Sequence, residues 1–249
     1  MGKKGIVIEK ALSLSGIKKR RGTYFEELHC KGGIKMFKFM VEGEGNPPSA
    51  YKDAVDYSVK MFSGKDPAQM ARCGGGMFQP EKSLILLSSL GQLLQITYPQ
   101  GYTNFKNTVE RPLWQWSFLA INYLWRADGT PLSGDLKSFR EMDGGSAFYS
   151  AFQDQALSPL SKLADLKSTV ELNNACMQLG GELHGWGDAG ATLNFFPRFP
   201  VTVIFWQGDD EISASANLLF DQNANHYMHT EDIAVVGNLI VFFITELCR

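Results

Sequence analysis

The sequence predicts an α+β fold: an antiparallel sheet with a C-terminal three-strand meander, packed by several helices including a C-terminal helix. Three observations predict it. Strand-like and helix-like runs are segregated along the 249 residues and do not alternate as βαβ units. No Rossmann or Walker glycine fingerprint is present, as a parallel nucleotide-binding sheet would require. Between about residues 191 and 220, apolar runs are separated by short turn-forming segments, the pattern of hairpins. With 44% apolar and 12% aromatic residues the chain can fill a sizeable core, and the same figures exclude a disordered or fibrous class.

In chain order, residues 1–22 form a basic arm with seven Lys/Arg and one acid. The rest has 17 Lys/Arg against 25 Asp/Glu, so an arm at +6 precedes a body at −8. Such an arm can reach nucleic acid or an anionic surface. No aromatic residues interleave with its charges to stack bases, so a solvated tail is the simpler reading and nucleic-acid binding the weaker alternative. Residues 23–249 are read as a single α+β domain, with a candidate internal boundary at 43–48, where two prolines interrupt regular structure. Residues 24–40 have room for short elements only. Residues 50–62 carry apolar side chains at 54, 55, 59 and 62, approximating one helical face. Gly74-Gly-Gly76 breaks the chain before 83–98, where two apolar runs flank Gly91 as a hairpin.

Residues 112–125 predict a helix with Pro112 in its first turn and Asp128-Gly129 beyond its end. It is apolar on almost every side, which places it centrally in the core; its aromatic residues are read as packing before any cofactor pocket. Ser146 is the expected N-cap of a helix over 146–155, with Phe148 and Phe152 on one face. A single helix over about 161–179 is expected next, with Leu163, Leu166, Val170 and Met177 as its buried stripe and Gly180-Gly181 as its end. Strands at 191–196, 201–207 and 212–220 make the meander. The last helix starts at about Thr230, whose hydroxyl can cap it, and Glu231 and Asp232 complement its dipole.

Several runs carry a family resemblance: Leu132-Ser-Gly134, Ser138-Phe-Arg-Glu141, Pro197-Arg-Phe-Pro200, Trp206-Gln-Gly-Asp-Asp-Glu211 and Leu218-Leu-Phe-Asp221. They resemble the domain-of-unknown-function family 3786 of bacteria and archaea, largely anaerobes, densely from Leu132 onward and thinly before residue 50. The resemblance implies no established activity. Some relatives join this domain to a cysteine-rich iron-sulfur domain, which implies an accessory role near iron-sulfur or corrinoid chemistry. The cysteine run is missing here: Cys30, Cys73, Cys176 and Cys248 include no CxxC pair, so no iron-sulfur motif carries over. They are expected to be reduced and mostly buried. Where the family often has acidic-acidic-Phe-Pro after the turn, this chain has Glu211 followed by Ile212-Ser213.

In an up-down-up meander, alternate connections lie at the same end of the sheet. One end should therefore gather His184, Asp188, Asp209, Asp210 and Glu211, an acidic cleft suited to general acid-base work or to a divalent metal. Mutual repulsion should raise the pKa of at least one of these acids. A solvated turn is the plainer account of the same residues. The other end should hold Arg198, Asp221, His226, His229, Glu231 and Asp232; two histidines and a carboxylate can bind a transition metal, although His229 and Thr230 read first as the start of the helix. Arg140 with Gly144, Gly145 and Ser146 is a third candidate, for an anion. No nucleophile with an identifiable base is visible.

No apolar run reaches the roughly 18 residues of a membrane span, and residues 6–8 are too short for the core of a secretory signal. A cytoplasmic location is expected. The leading expectation is a non-catalytic binding or accessory protein with an unidentified small-molecule or protein partner. The alternative is a metal-assisted hydrolase or lyase at the acidic cleft.

Overall fold

The computed structural model describes residues 27–29, 35–41 and 47–249, so the basic arm, Cys30 and residues 43–46 of the candidate boundary lie outside the described residues. The short elements expected over 24–40 are an antiparallel ribbon of β1 (Glu27–His29) and β2 (Lys35–Phe37), followed by a 3-10 turn. Phe37 stacks on Phe39, whose ring meets Phe242 and Phe243 far along the chain. The expected helix at 50–62 is α1 (Lys52–Ser63). A further helix, α2 (Pro67–Cys73), was announced by Asp66-Pro67: the Asp66 carboxylate accepts the Ala68 N–H at 3.1 Å and proline takes the first helical position.

The first sheet is a four-strand antiparallel meander in the order β3 (Met77–Gln79), β4 (Leu84–Ser89), β5 (Gln92–Thr97) and β6 (Thr103–Phe105). The predicted hairpin is β4–β5, with Ile85, Leu87, Leu94 and Ile96 buried at period two. Its turn depends on glycine, because a Cβ on Gly180 would lie 2.9 Å from the Gly91 Cα and Gly91 itself has φ +71°. Against this sheet lies α3 (Trp114–Arg126), the predicted core helix, with Trp116, Leu119, Tyr123 and Leu124 fully buried.

The second sheet has the order β7 (Leu136–Ser138), β11 (Ser215–Asp221), β10 (Phe199–Trp206), β9 (Ala189–Phe196), β8 (Glu182–Leu183), every neighbour antiparallel. Its centre is the expected C-terminal meander. The third strand starts at Ser215, three residues later than expected, because residues 209–212 close a turn instead of extending the ladder. Four helices pack this sheet: α4 (Gly145–Phe152), α5 (Ser158–Leu166), α6 (Thr169–Gln178) and α7 (Thr230–Leu247), with a π turn over Gln153–Leu157 after α4. Helix α7 is buried along nearly its whole length. No helix among the described residues is long and apolar enough to cross a membrane.

Three helix expectations need correction. The expected 161–179 helix is two helices, α5 and α6, broken at Lys167. Ser168 and Glu171 form a capping box there, with Ser168 N–H donating to the Glu171 carboxylate at 2.9 Å. The break rotates the expected stripe: Leu163 is buried, whereas Leu166, Val170 and Met177 are 74, 65 and 47% exposed. Ser146 does not cap α4. Gly144 holds that position at φ +72°, and the Ser146 hydroxyl donates to the Arg140 carbonyl. Nor does Thr230 cap α7: His229 occupies the cap position, and the Thr230 hydroxyl donates to the Asp143 carbonyl.

The phenol of Tyr123 joins these parts. It donates to the Gly74 carbonyl at 2.7 Å and accepts the Arg198 N–H at 3.0 Å, while its ring stacks on Phe196 and Tyr227. Tyr123→Phe keeps the ring and strands both backbone groups. It should lower unfolding stability by about 1–3 kcal/mol, measured by urea denaturation; a loss within about 0.5 kcal/mol would show that water replaces the hydroxyl without penalty.

Candidate functional site

The meander brings the β8–β9 loop and the β10–β11 tip to one end, as the connection rule requires. Asp188 ties them: its N–H donates to the Phe205 carbonyl at 2.9 Å, and its carboxylate accepts the Gln207 N–H at 2.7 Å. At the tip, one oxygen of Asp209 accepts the N–H groups of Glu211 and Ile212 at 2.9 and 2.7 Å. Those two donors hold the Asp209 carboxyl below its usual range, opposite in direction to the rise expected from repulsion. Asp210 and Glu211 are solvent-exposed. His184 makes no hydrogen bond to the acids. Its Nδ1 accepts the Trp186 N–H at 3.3 Å, its Nε2 is buried without a hydrogen-bond partner, and its ring packs so closely on residue 190 that a Cβ there would lie 2.6 Å from Cε1.

What sequence reasoning missed at this end is apolar. Six of the twelve large apolar side chains exposed among the described residues belong to it: Leu166, Val170, Leu183, Trp186, Trp206 and Ile212. The Gln207 side chain reaches the Lys167 carbonyl at 2.9 Å and so fixes the strand tip against the α5–α6 break. Trp186 is 53% exposed beside the His184 ring, and Ile212 is 68% exposed within the Asp209 turn. A tryptophan between two glycines, Gly185-Trp186-Gly187, was the available signal.

The opposite end is dense in polar pairing. His226 Nδ1 lies 2.8 Å from an Asp128 oxygen and 3.1 Å from the Thr130 hydroxyl. Both contacts fall on one ring nitrogen, whereas a nucleophile-base-orienter relay needs them on opposite nitrogens. Burial alone would raise Asp128, but the bonds from His226 and Thr130 prevail and hold it at about 2. His229 Nε2 lies 2.6 Å from Arg126 Nη1. Asp232 is buried and accepts from the Asn122 side chain at 3.1 and 3.3 Å, and the Trp125 indole N–H donates back to Asn122. Burial drives the Asp232 carboxyl up to about 6, partly offset by Asn122 and the nearby Arg126 charge. Arg198 and Asp221 hold loops: Arg198 donates to the Gly129 carbonyl, and Asp221 accepts from Ser133, Gly134 and Asn223. Glu231 is exposed.

At the third candidate the Gly145 N–H is already bonded to the Met142 carbonyl at 2.8 Å, and the Arg140 guanidinium lies over the Tyr149 ring. An open cleft of about 510 Å³ adjoins it, lined by Lys137, Glu141, Asp143, Asn225 and His226 among others. It lacks the apolar walls of a small-molecule site. Among the described residues, no three or more His, Cys, Asp or Glu side chains come together in a group that could hold a metal ion.

The family model for the domain of unknown function DUF3786 matches residues 66–242. The chain belongs to this family. No curated protein and no solved structure matches it. The DUF3786 match starts at the Asp66 cap of α2 and runs into α7, so it contains both ends of the five-stranded sheet and leaves α1 and the basic arm outside.

The buried carboxyl gives this end a pH signature. An unfolded Asp232 would titrate near 3.8 and the folded one near 6, so the native state keeps a proton that the unfolded chain has lost. Its stabilising contribution is full below about pH 4 and disappears as pH rises through 6. At about 1.4 kcal/mol per pH unit of displacement this is on the order of 3 kcal/mol. Asp232→Asn should therefore gain stability relative to wild type between pH 4 and 6.5, tested by chemical denaturation at several pH values. A constant offset across that range would contradict the assignment.

Proposed function

We propose that this protein is a non-catalytic accessory protein that docks a basic-faced partner protein through the acidic, tryptophan-bearing end of its five-stranded sheet. One observation carries the reading: half of the large exposed apolar side chains among the described residues sit at that end, two of them tryptophans. Exposed apolar groups concentrated at one place, with a polar rim, are the mark of an interaction surface, and tryptophan is the residue most enriched where binding energy concentrates. The rim supplies the sign of the partner. Glu182, Asp188, Asp209, Asp210 and Glu211 surround the patch, and Lys167 is already paired with Glu171 at 3.5 Å. A partner presenting Lys or Arg around an apolar anchor is complementary.

The family's iron-sulfur fusions suggest a partner in iron-sulfur or corrinoid chemistry, with the cofactor carried by that partner. The thiols described here support this division. Cys73, Cys176 and Cys248 are free, and burial together with the Cys248 charge pushes Cys176 up to about 12, far from the thiolate that ligates iron.

Random-peptide display on the immobilised full-length protein at low ionic strength should enrich sequences in which Lys or Arg flank Leu, Phe or Trp. Affinity for these peptides should fall by about tenfold or more in Trp186→Ala/Ile212→Ser, a loss of about 1.4 kcal/mol or more. Both side chains are mostly exposed, so stability should stay within about 1 kcal/mol of wild type. Peptides with no basic bias, or equal binding to the double variant, would defeat the reading.

A further inference from the structure

We propose that β8 is a template for strand addition: an extended segment of the basic-faced partner pairs with its outer edge and becomes a sixth strand of the second sheet. The inference rests on the docking reading of that end and names the form the partner takes there. β8 (Glu182–Leu183) is the terminal strand of the sheet, and both of its residues are exposed. Its pairing fixes which backbone groups face outward. The His184 N–H donates to the Gly190 carbonyl at 3.3 Å and Glu182 stands opposite Thr192, so these two residues turn their backbone groups toward β9. Successive residues of an antiparallel strand present theirs to opposite sides. The N–H and C=O of Leu183 therefore point away from the sheet, one donor and one acceptor of the kind a ladder exchanges. Just beyond, Gly185 has open space beside it, with nothing within 4 Å of the position a Cβ would take.

The opposite edge of the same sheet is guarded. There the Ala216 N–H donates to the Ser161 hydroxyl at 3.1 Å, the Leu218 N–H to the Asn217 side chain at 2.9 Å, and the Ser138 N–H of β7 to the Glu141 carboxylate at 2.9 Å. Lysine and proline are the other usual guards of a sheet edge. The β8 edge carries neither, since no Lys, Arg or Pro occurs from Ser168 to Phe196. The charged residues of that stretch are Glu171, Glu182 and Asp188, all acidic. An unguarded edge beside acids admits a strand bearing Lys or Arg and disfavours a second copy of itself. In strand addition, main-chain bonds give affinity and contacts to alternate side chains give specificity. Leu183, 47% exposed, and Trp186, 53% exposed, place those apolar contacts on the same short segment as the outward backbone groups.

The probe is an acetylated, amidated heptapeptide alternating lysine with leucine, titrated against the full-length protein at low ionic strength. Two derivatives are N-methylated, one at every leucine and the other at every lysine. An added strand turns these two sets of N–H groups to opposite sides, so one derivative should bind about tenfold or more weakly than the parent and the other within about threefold of it. In the parent complex the Leu183 amide should exchange its hydrogen about tenfold or more slowly than in the free protein. Derivatives that bind alike, an unprotected Leu183 amide in the complex, or no binding of the parent peptide each overturn the inference. Dimerisation of the free protein that slows the same amide overturns it in favour of a second copy. The two readings fail separately. Display peptides that need Trp186 and Ile212, alongside derivatives that bind alike, sink the added strand alone, whereas display peptides indifferent to those residues sink the docking surface.

Discussion

The hydroxyl of Tyr123 is the constraint on which the arrangement of the two sheets depends. One oxygen accepts from the backbone of the β9–β10 turn and donates to the backbone at the end of α2, so the meander and the first sheet are referred to the same point on α3. Its surroundings leave little tolerance. A Cβ on Gly74 would lie 3.0 Å from the Tyr123 ring, and one on Gly75, already at φ +70°, would lie 2.8 Å from Pro197. The triple glycine is therefore a place where the chain must pass close to a ring and a turn. Burial pushes the phenol pKa well up, which keeps it a neutral donor throughout the range in which proteins fold.

That anchoring separates the two ends of the second sheet chemically. At the α7 start, nearly every polar group is committed: Arg126 to His229, Asn122 to Asp232 and Trp125, His226 to Asp128 and Thr130. Asn122 and Asp232 are the buried part of this network, while the His226–Asp128 and His229–Arg126 contacts are exposed, and together they tie the linker from β11 to the end of α3. At the other end the polar groups are committed mostly to their own turn, and what is left over is apolar surface. A strand of seven residues spans about 23 Å, so the network and the surface do not share atoms.

The fold class and the meander were legible because β4, β5 and β10 are short apolar runs and their turns carry Gly, Pro and Asp. Short edge strands such as β7 and β8 were not, since two or three residues carry no period and are held by ladder bonds to neighbours. The α5–α6 break was written in Ser168-Thr-Val-Glu171, but an apolar stripe drawn across it looked continuous. The same error hid the patch: Leu166 and Val170 were assigned to the core because a straight helix would put them there. His184 and the three tip acids lie on connections at one end of the sheet. Their chemistry was not legible, because whether a carboxylate repels its neighbours or accepts from a turn is decided by backbone N–H directions that no sequence displays.

Polar clustering is an ambiguous signal for function in this chain, and the reason is general. Asp, Asn, His and Gly gather wherever backbone must turn, and once the turn is formed their hydrogen bonds are used up. An exposed indole has no such internal use. Leaving Trp186 and Trp206 partly in water forgoes burial worth about 25 cal/mol for each Å² of apolar surface, and nothing in the geometry of a hairpin requires tryptophan there. A cost that the fold neither needs nor recovers is the argument for an outside partner that does recover it, and it is why the apolar residues, with the acids as their rim, are proposed above as a docking surface.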